Sequence, residues 1–187
     1  MRLIKGQSLI LALSATAWPL LGKAGQDAYA QRLIPKFAEV APGFYRGGQP
    51  RQGGFERLKE IGVKTVINLR GENDEEKEVE SLGMKYIHIP MSALEHVSDA
   101  KIQKFFGVLK DSSNYPVFVH CERGSDRTGF MVGVYRIAFE GWSAERAYQE
   151  ARGYGMRWWY RNLRHQLYEF ASKQENSSKT VSTSPPR

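Results

Sequence analysis

The segment VFVHCERGSDRTG, residues 117–129, places a cysteine and an arginine six positions apart around a turn. Val117–Val119 predicts a buried strand that ends at His120 and Cys121, and the apolar residues after Gly129 predict a helix. A turn between a strand and a helix directs successive backbone N–H groups and the helix N-terminus at one point, which favours binding of a tetrahedral oxyanion. The same groups stabilise the thiolate of a cysteine at the base of the turn, so the spacing favours phosphoryl transfer to sulfur.

Each further residue of this turn has a predicted role in that chemistry. The planar guanidinium of Arg127 holds two phosphate oxygens at once. The Thr128 hydroxyl hydrogen-bonds the sulfur when the sulfur becomes the leaving group, and Gly124 permits a backbone curve that a side chain would block. The residues predicted to surround the substrate phosphate are Glu122, Arg123, Gly124, Ser125, Asp126 and Arg127.

The pattern HC-x5-R-[ST]-G resembles the signature loop of the cysteine-dependent protein tyrosine and dual-specificity phosphatases. Three other stretches resemble compact bacterial members of this family, including exported ones: FYRGGQP at 44–50, GVKTVINLR at 62–70, and residues 135–142. The resemblance implies a two-step reaction through a phosphocysteine at Cys121, with no metal and no organic cofactor. It also implies that His120 is a structural residue that hydrogen-bonds the loop rather than a base.

The resemblance further implies an acidic residue on a separate loop, which protonates the leaving oxygen and later activates water. That loop follows the third predicted strand, at residues 91–99, and contains Glu95 and Asp99. The family's usual residue is Asp, but Asp99 also fits the start of a helix. Glu95 lies 26 residues before Cys121, which is nearer the spacing of a compact member. Asp126 is a third candidate, because some lipid-directed relatives carry Asp there, and its alternative role is capping the next helix.

Other interpretations of the cysteine segment stay open at this point. Cys121 as a small buried hydrophobe and Arg127 as a surface charge would carry no chemistry. A binding module for phosphorylated ligands would use the loop without turnover. A rhodanese-type sulfurtransferase also mounts a cysteine between a strand and a helix, although the Arg-Thr-Gly ending favours a phosphatase.

The elements around this segment alternate between short β-rich runs and helical periods. Such alternation predicts a single α/β domain with a central, mainly parallel sheet of four to five strands flanked by helices. The predicted strands are 44–46, 63–69, 86–89 and 117–119. The predicted helices are 55–61, an acidic and solvated 72–80, one from about 98, one after 129, 143–152 and 157–170.

The two ends of the chain are predicted to lie outside this domain. Arg2 and Lys5 precede an apolar run at Ser8–Leu21, and Ala28-Tyr29-Ala30 supplies a cleavage site, which together fit a secretory signal peptide over 1–30. We therefore expect export, to a bacterial periplasm, or anchoring by an uncleaved segment. The catalytic domain is predicted over 31–171, and the Ser-rich 172–187 is predicted to be a disordered tail.

The composition limits which partners and cofactors the chain is expected to bind. A globular 187-residue chain with one cysteine has no intramolecular disulfide and no zinc site built on several cysteines. Its net charge of +7 favours anionic partners: a phosphorylated protein or peptide, an anionic lipid or a small phosphate ester. We expect a monomer that binds no nucleic acid. Arg157, Arg161 and Arg164 form either a face that recruits anions or the solvated side of a helix, and core packing is the expected role of Trp158 and Trp159.

Overall fold

A five-stranded sheet forms the centre of the molecule in the computed structural model, which describes the backbone of residues 23–182 and the side chains of 28–176. The strands lie in the order β1-β2-β5-β3-β4. Strand β1 is antiparallel to β2, and all other neighbours are parallel, so the predicted α/β class with a mainly parallel sheet is confirmed. Their bounds are β1 Ala38–Ala41, β2 Phe44–Gly48, β3 Thr65–Asn68, β4 Lys85–His88 and β5 Val117–Cys121.

Helices cover both faces of this sheet. They are α1 Lys23–Leu33, α2 Gly54–Glu60, α3 Glu76–Ser81, α4 Asp99–Lys110, α5 Asp126–Glu140, α6 Ala144–Gly153 and α7 Arg161–Ser182. Local signals set several boundaries: the Ser143 hydroxyl accepts a hydrogen bond from the Arg146 N–H at 3.2 Å and caps α6. Gly141, with φ of 66°, ends α5 in the left-handed conformation that glycine adopts without strain.

The central strand β5 divides the interior into two apolar cores. All five of its residues are buried, as expected of a strand that is covered on both faces. Val117 and Val119 belong to the core formed with α4, α5, α6 and α7, whereas Phe118 belongs to the core formed with α1, α2 and α3. This alternation fixes the register of β5, because a slip of one residue would exchange the two faces. Its C-terminal residue, Cys121, is thereby held at a fixed point on the sheet edge.

The last helix extends further than the sequence predicted. Helix α7 begins at Arg161 and continues to Ser182, so the segment from Ser172 to Ser182 is helical, where the sequence predicted a disordered tail. Leu163 and Leu167 are fully buried and anchor the helix, and extending an existing helix by one residue costs far less than starting a new one, so the polar residues that follow continue it. Residues 183–187 lie outside the described residues.

The predicted signal peptide falls largely outside the described part of the chain. Residues 1–22 are not described, and the predicted cleavage position after Ala30 lies within α1. Ala30 is buried in the second core with Ile34, so the folded domain includes residues before 31. Between residues 23 and 182, no helix has the length and apolarity needed to cross a bilayer. Export and cleavage stay predictions.

Candidate active site

A pocket of about 600 Å³ opens at the C-terminal edge of the parallel strands, where β5 turns into α5. Cys121 lies at its base and is 2% exposed. Residues 122–125 form the connecting loop, and the first turn of α5 begins at Asp126. The side chains that line the pocket belong to Gly71, Glu72, Met91, Ser92, Ala93, Leu94, Cys121, Glu122, Arg123, Asp126, Arg127, Arg157 and Tyr160. Strand, loop and helix N-terminus therefore meet around the sulfur as the sequence predicted.

The loop curves tightly because it packs against backbone rather than side chains. Gly124 has φ of 66°, and a Cβ at this position would lie 2.5 Å from Gly47 C and from Gly48 N. A Cβ on Gly48 would in turn lie 3.1 Å from the Arg123 carbonyl carbon. The Gln49 N–H donates to the Glu122 carbonyl at 3.1 Å and connects the end of β2 to the loop. Gly48 therefore leaves room for the loop, whereas the space at Gly47 is filled by the side chains of Ile34 and Phe118.

Two cations hold the loop in place, buried Arg46 and exposed Lys36, and the sequence pattern did not indicate Lys36. The Arg46 Nη2 donates to the Gly124 carbonyl at 3.0 Å, and its guanidinium lies 3.8 Å from the centre of the Tyr154 ring. Burial lowers the pKa of Arg46 to about 10. The Lys36 ammonium hydrogen-bonds the Ser125 hydroxyl. Burial lowers the pKa of Lys36, although the charges of Asp126 and Cys121 oppose that shift.

Arg127 reaches back from the first turn of α5 to the pocket. Its Nη1 faces the carbonyl oxygens of Leu69 and Met91, each at 3.4 Å, so two neighbouring strand ends hold the guanidinium in place. Arg127 and Cys121 line the same pocket, with the N-terminus of α5 between them. Cationic and N–H donors around one sulfur fit a tetrahedral oxyanion. Across residues 28–176, no three His, Cys, Asp or Glu side chains are grouped to hold a metal ion.

A family model described as a DSP-PTPase phosphatase fused to NAD+ kinase matches residues 28–177. The chain belongs to the DSP-PTPase family. The match includes the strand, the loop and the helix that form the pocket, so the resemblance inferred from the loop is confirmed.

Individual relatives in the family have different activities. The chain is 30% identical over 135 residues to the inositol diphosphatase DSP3 of Arabidopsis thaliana, covering 68% of this chain and 66% of the relative. It is 28% identical over 133 residues to the dual specificity protein phosphatase TpbA of Pseudomonas aeruginosa, covering 68% and 60%. The chain thus spans less than two thirds of either relative.

The fold agrees with a solved structure of the same type. The core catalytic domain of the PP-IP phosphatase SIW14 from S. cerevisiae superposes with a TM-score of 0.61 at 24% identity. The superposition covers 74% of this chain and 92% of that one. At this level of identity the likeness shows the fold.

His120, which immediately precedes the DSP-PTPase cysteine, is buried beneath the loop. Its Nε2 lies 2.8 Å from Glu75 Oε1, and its ring stacks on Phe118 with centroids 5.4 Å apart. Glu75 lies within the stretch that the sequence predicted to be a solvated helix, but it is only 3% exposed. Its carboxylate also accepts a hydrogen bond from the Gln49 side chain at 2.7 Å. Glu75 is therefore a supporting residue that the sequence analysis missed.

Thr128 and Asp126 make contacts other than the predicted ones. The Thr128 hydroxyl donates to the Gly47 carbonyl at 3.4 Å, and its predicted hydrogen bond to the sulfur stays a prediction. Asp126 does not accept a helix-capping hydrogen bond from the α5 backbone in the described structure; its carboxylate accepts from the Arg157 backbone N–H at 2.8 Å and from the Arg157 guanidinium at 2.8 and 3.1 Å. These hydrogen bonds raise the pKa of Arg157 and hold its guanidinium at the pocket wall.

The two preferred candidates for the general acid lie apart from the pocket wall. Asp99 is the first residue of α4, its side chain is 76% exposed, and its carboxylate lies 4.0 Å from the Lys173 ammonium. Asp99 borders a different hollow, so the structure does not bring it to Cys121. Glu95 is exposed and does not line the pocket either, but it follows the lining residue Leu94 directly. Of the two, Glu95 is the one that lies beside the pocket.

Trp158 and Trp159 differ most from their predicted placement. Core packing was expected, but they are 66% and 54% exposed. They precede α7 in a turn whose flanking residues, Arg157 and Tyr160, line the pocket. The aromatic core contributions come instead from residues such as Phe170, which is buried on α7.

Proposed function

We propose that this chain hydrolyses phosphate monoesters through a covalent phosphocysteine on Cys121. The thiolate attacks phosphorus, an S–P bond forms, and the P–O bond to the leaving group breaks as that oxygen takes up a proton. Water then attacks the phosphocysteine, and the S–P bond breaks to give inorganic phosphate and the thiolate. The loop N–H groups, the α5 N-terminus and Arg127 hold the phosphoryl oxygens in both steps.

The placement of Cys121 carries this proposal. The cysteine ends a fully buried strand, lies at the base of the pocket, and shares that pocket with Arg127. A cysteine that served only as core packing would have no reason to face a polar pocket lined by guanidinium groups. The family match is consistent with this chemistry.

We propose phosphotyrosine in proteins as the first substrate class, with phosphoserine and phosphothreonine as further substrates. The relative TpbA is a dual specificity protein phosphatase, which supports this class. A second class, inositol phosphates and other small phosphate esters, is favoured by a specific feature: Asp126 fixes the Arg157 guanidinium at the wall of the pocket that Arg127 also lines, which adds a second guanidinium as a donor to phosphate oxygens. The relative DSP3 is an inositol diphosphatase, which supports this second class.

The experiment that tests the chemistry replaces Cys121 by Ser. We expect Cys121→Ser to abolish turnover of p-nitrophenyl phosphate while the circular dichroism spectrum stays the same, because a serine hydroxyl is not ionised at neutral pH. Appreciable remaining turnover would refute the phosphocysteine. The substrate class is then decided by comparing kcat/KM for a phosphotyrosyl peptide, a phosphothreonyl peptide and an inositol phosphate.

A further inference from the structure

Most of the exposed apolar bulk of the described side chains belongs to residues that line the Cys121 pocket or lie next in the chain to residues that line it. Among residues 28–176, the large hydrophobic side chains that remain exposed are Leu94, Phe139, Trp158 and Trp159. Leu94 lines the pocket and is 78% exposed. We call Leu94, Trp158 and Trp159 the apolar rim. Large exposed apolar side chains grouped around one pocket mark a site of interaction.

A tight turn places the two tryptophans at this mouth. The Tyr160 N–H donates to the Arg157 carbonyl at 3.2 Å and closes a turn with Trp158 and Trp159 at its tip. Both residues that flank the tip line the pocket. The two indole rings meet edge to face with centroids 5.8 Å apart, so they form one apolar projection.

The two parts of the rim have a common support at the start of α7. The Asn162 side-chain amide donates to the Glu95 carbonyl at 2.6 Å, and the Val97 N–H donates to the Gln166 side chain at 2.8 Å. These hydrogen bonds fix the loop that carries Leu94 against the helix that follows the tryptophans. The rim is therefore preorganised rather than assembled on binding.

Basic side chains lie beside parts of the rim. Arg123 is exposed on the pocket wall, and Arg161 is exposed at the start of α7 directly after Tyr160, whereas the Arg164 guanidinium lies over the Tyr148 and Tyr168 rings. Tryptophan and leucine beside arginine are typical of protein surfaces that enter the interface of an anionic bilayer. A peptide partner would need an apolar cleft to receive it, whereas these side chains project from the tip of a turn.

We propose that the apolar rim docks on the surface of an anionic lipid bilayer and presents the Cys121 pocket to phosphate esters held there. The role of the pocket in this arrangement depends on the proposed phosphatase function, but docking itself requires no catalysis. The two proposals can therefore fail separately.

The test measures whether the rim tryptophans enter the bilayer. The full chain with Trp18→Phe, which removes the tryptophan of the N-terminal apolar run, is mixed with phosphatidylcholine–phosphatidylglycerol vesicles that carry brominated acyl chains. We expect quenching of tryptophan emission, and we expect Trp158→Ala/Trp159→Ala to remove it and leave only Trp142, which lies between Arg136 and Arg146. This readout is independent of any binding by the N-terminal run.

Matched variants separate docking from catalysis. Trp158→Ala/Trp159→Ala is expected to bind the vesicles at least roughly tenfold less tightly, since burial of both indoles is lost, and to hydrolyse soluble p-nitrophenyl phosphate at the wild-type rate. Phe139→Ala, which removes an exposed aromatic roughly 20 Å away along α5, is expected to bind normally. About 1 M salt is expected to weaken binding, because it screens the arginines.

Three results would overturn the proposal. The first is absence of quenching in the Trp18→Phe chain at low salt, and the second is equal quenching of this chain and its Trp158→Ala/Trp159→Ala form. The third is a rim variant that keeps vesicle contact but loses turnover of a phosphotyrosyl peptide, which would assign the rim to a protein substrate instead. Loss of all phosphatase activity in the wild-type chain would refute the proposed function and leave the quenching result standing.

Discussion

His120 Nε2 lies 2.8 Å from Glu75 Oε1 in a region where neither side chain reaches solvent. This contact connects the start of α3 to the residue before Cys121. The Gln49 amide donates to the other carboxylate oxygen at 2.7 Å, and Arg70 approaches it at 3.3 Å. Burial acts to raise the pKa of Glu75, but the hydrogen bonds from His120 and Gln49 and the charge of Arg70 outweigh burial, so the pKa lies below the usual 4.5.

This contact predicts that Glu75→Gln lowers the free energy of unfolding by about 1–3 kcal/mol at neutral pH, since it weakens hydrogen bonds to buried charged partners. A pKa that is lower in the folded chain means that the unfolded chain takes up the proton first as the pH falls. The stability that the ionised carboxylate provides is therefore present above about pH 4.5 and is lost below it. Urea unfolding at a series of pH values should show the wild-type and variant curves converging in acid.

The control for this prediction is Glu80→Gln, because Glu80 is exposed on the same helix. It should leave the unfolding free energy within about 0.5 kcal/mol of wild type at every pH. A difference between wild type and Glu75→Gln that stays constant from neutral pH to about pH 3 would contradict the assignment to an ionised carboxylate.

The sequence located Cys121 and Arg127 because strand, loop and helix follow one another without a break, so the site's centre is local in the chain. It could not locate Glu75, since one glutamate among several in an acidic stretch carries no mark of burial. That burial arises where Glu75, just before α3, meets His120 on β5, 45 residues later in the chain. Lys36 was missed for the same reason, because the fold alone brings it to the loop.

The general acid shows a different limit of sequence reasoning. Asp99 satisfied the expected residue type and lay on the expected loop, but it also satisfied the pattern of a helix start, and the structure places it there. When a residue type fits two roles, the position of its loop in the folded chain decides which role the residue has. The predicted core packing of Trp158 and Trp159 was wrong for a similar reason: the helix predicted over 157–170 begins only at Arg161, so both residues lie in the turn before it.

A second prediction concerns the curvature of the loop. Gly124→Ala adds a Cβ where Gly47 and Gly48 backbone atoms lie 2.5 Å away and imposes a strained φ. The loop must therefore shift, and its N–H groups no longer point at the phosphoryl oxygens. We expect kcat/KM for p-nitrophenyl phosphate to fall at least about 100-fold as a result. Steady-state kinetics and the thermal unfolding midpoint check this together.

Gly107→Ala is the matched control for the loop variant. Gly107 lies within α4, and a Cβ there meets no atom within 4 Å. This change should leave activity unaltered and raise the free energy of unfolding by roughly 0.5–1 kcal/mol, because alanine has less backbone freedom in the unfolded chain. Wild-type kinetics for Gly124→Ala would show that the loop tolerates displacement. They would contradict the proposal that catalysis depends on the curvature of the loop.

A third prediction follows from the unequal burial of Asp126 and Arg157, whose side chains are 6% and 27% exposed. Arg157→Ala leaves a buried carboxylate without its partner and should destabilise the fold by about 2–3 kcal/mol. The variant Asp126→Asn keeps an oxygen that accepts from the Arg157 N–H and leaves the guanidinium near solvent. We therefore expect it to lower the free energy of unfolding by only about 1 kcal/mol. Urea unfolding of both single variants and of the double variant measures the loss of unfolding free energy in each. Equal losses in the two single variants would contradict this prediction.

The fourth prediction begins with Asp99. Because its carboxylate is mostly exposed and borders a hollow other than the Cys121 pocket, Asp99→Asn should leave kcat/KM within about twofold of wild type for every phosphate ester. A large loss would place Asp99 in the reaction after all and would require movement of the loop at residues 91–98. The same measurement on Glu95→Gln gives the contrasting case.

The variant Glu95→Gln tests proton donation by comparing substrates whose leaving groups differ in pKa, rather than by the rate with one substrate. A general acid matters most when the departing oxygen is strongly basic, so the variant should lose little with p-nitrophenyl phosphate and roughly 100-fold or more with phenyl phosphate. Glu95 follows Leu94 on the pocket wall, and its carbonyl is already fixed by Asn162, so only the side chain has to turn inward. The slope of log kcat/KM against leaving-group pKa should steepen in Glu95→Gln and stay unchanged in Asp99→Asn. Identical slopes in all three proteins would leave Asp126 or bound water as the proton source.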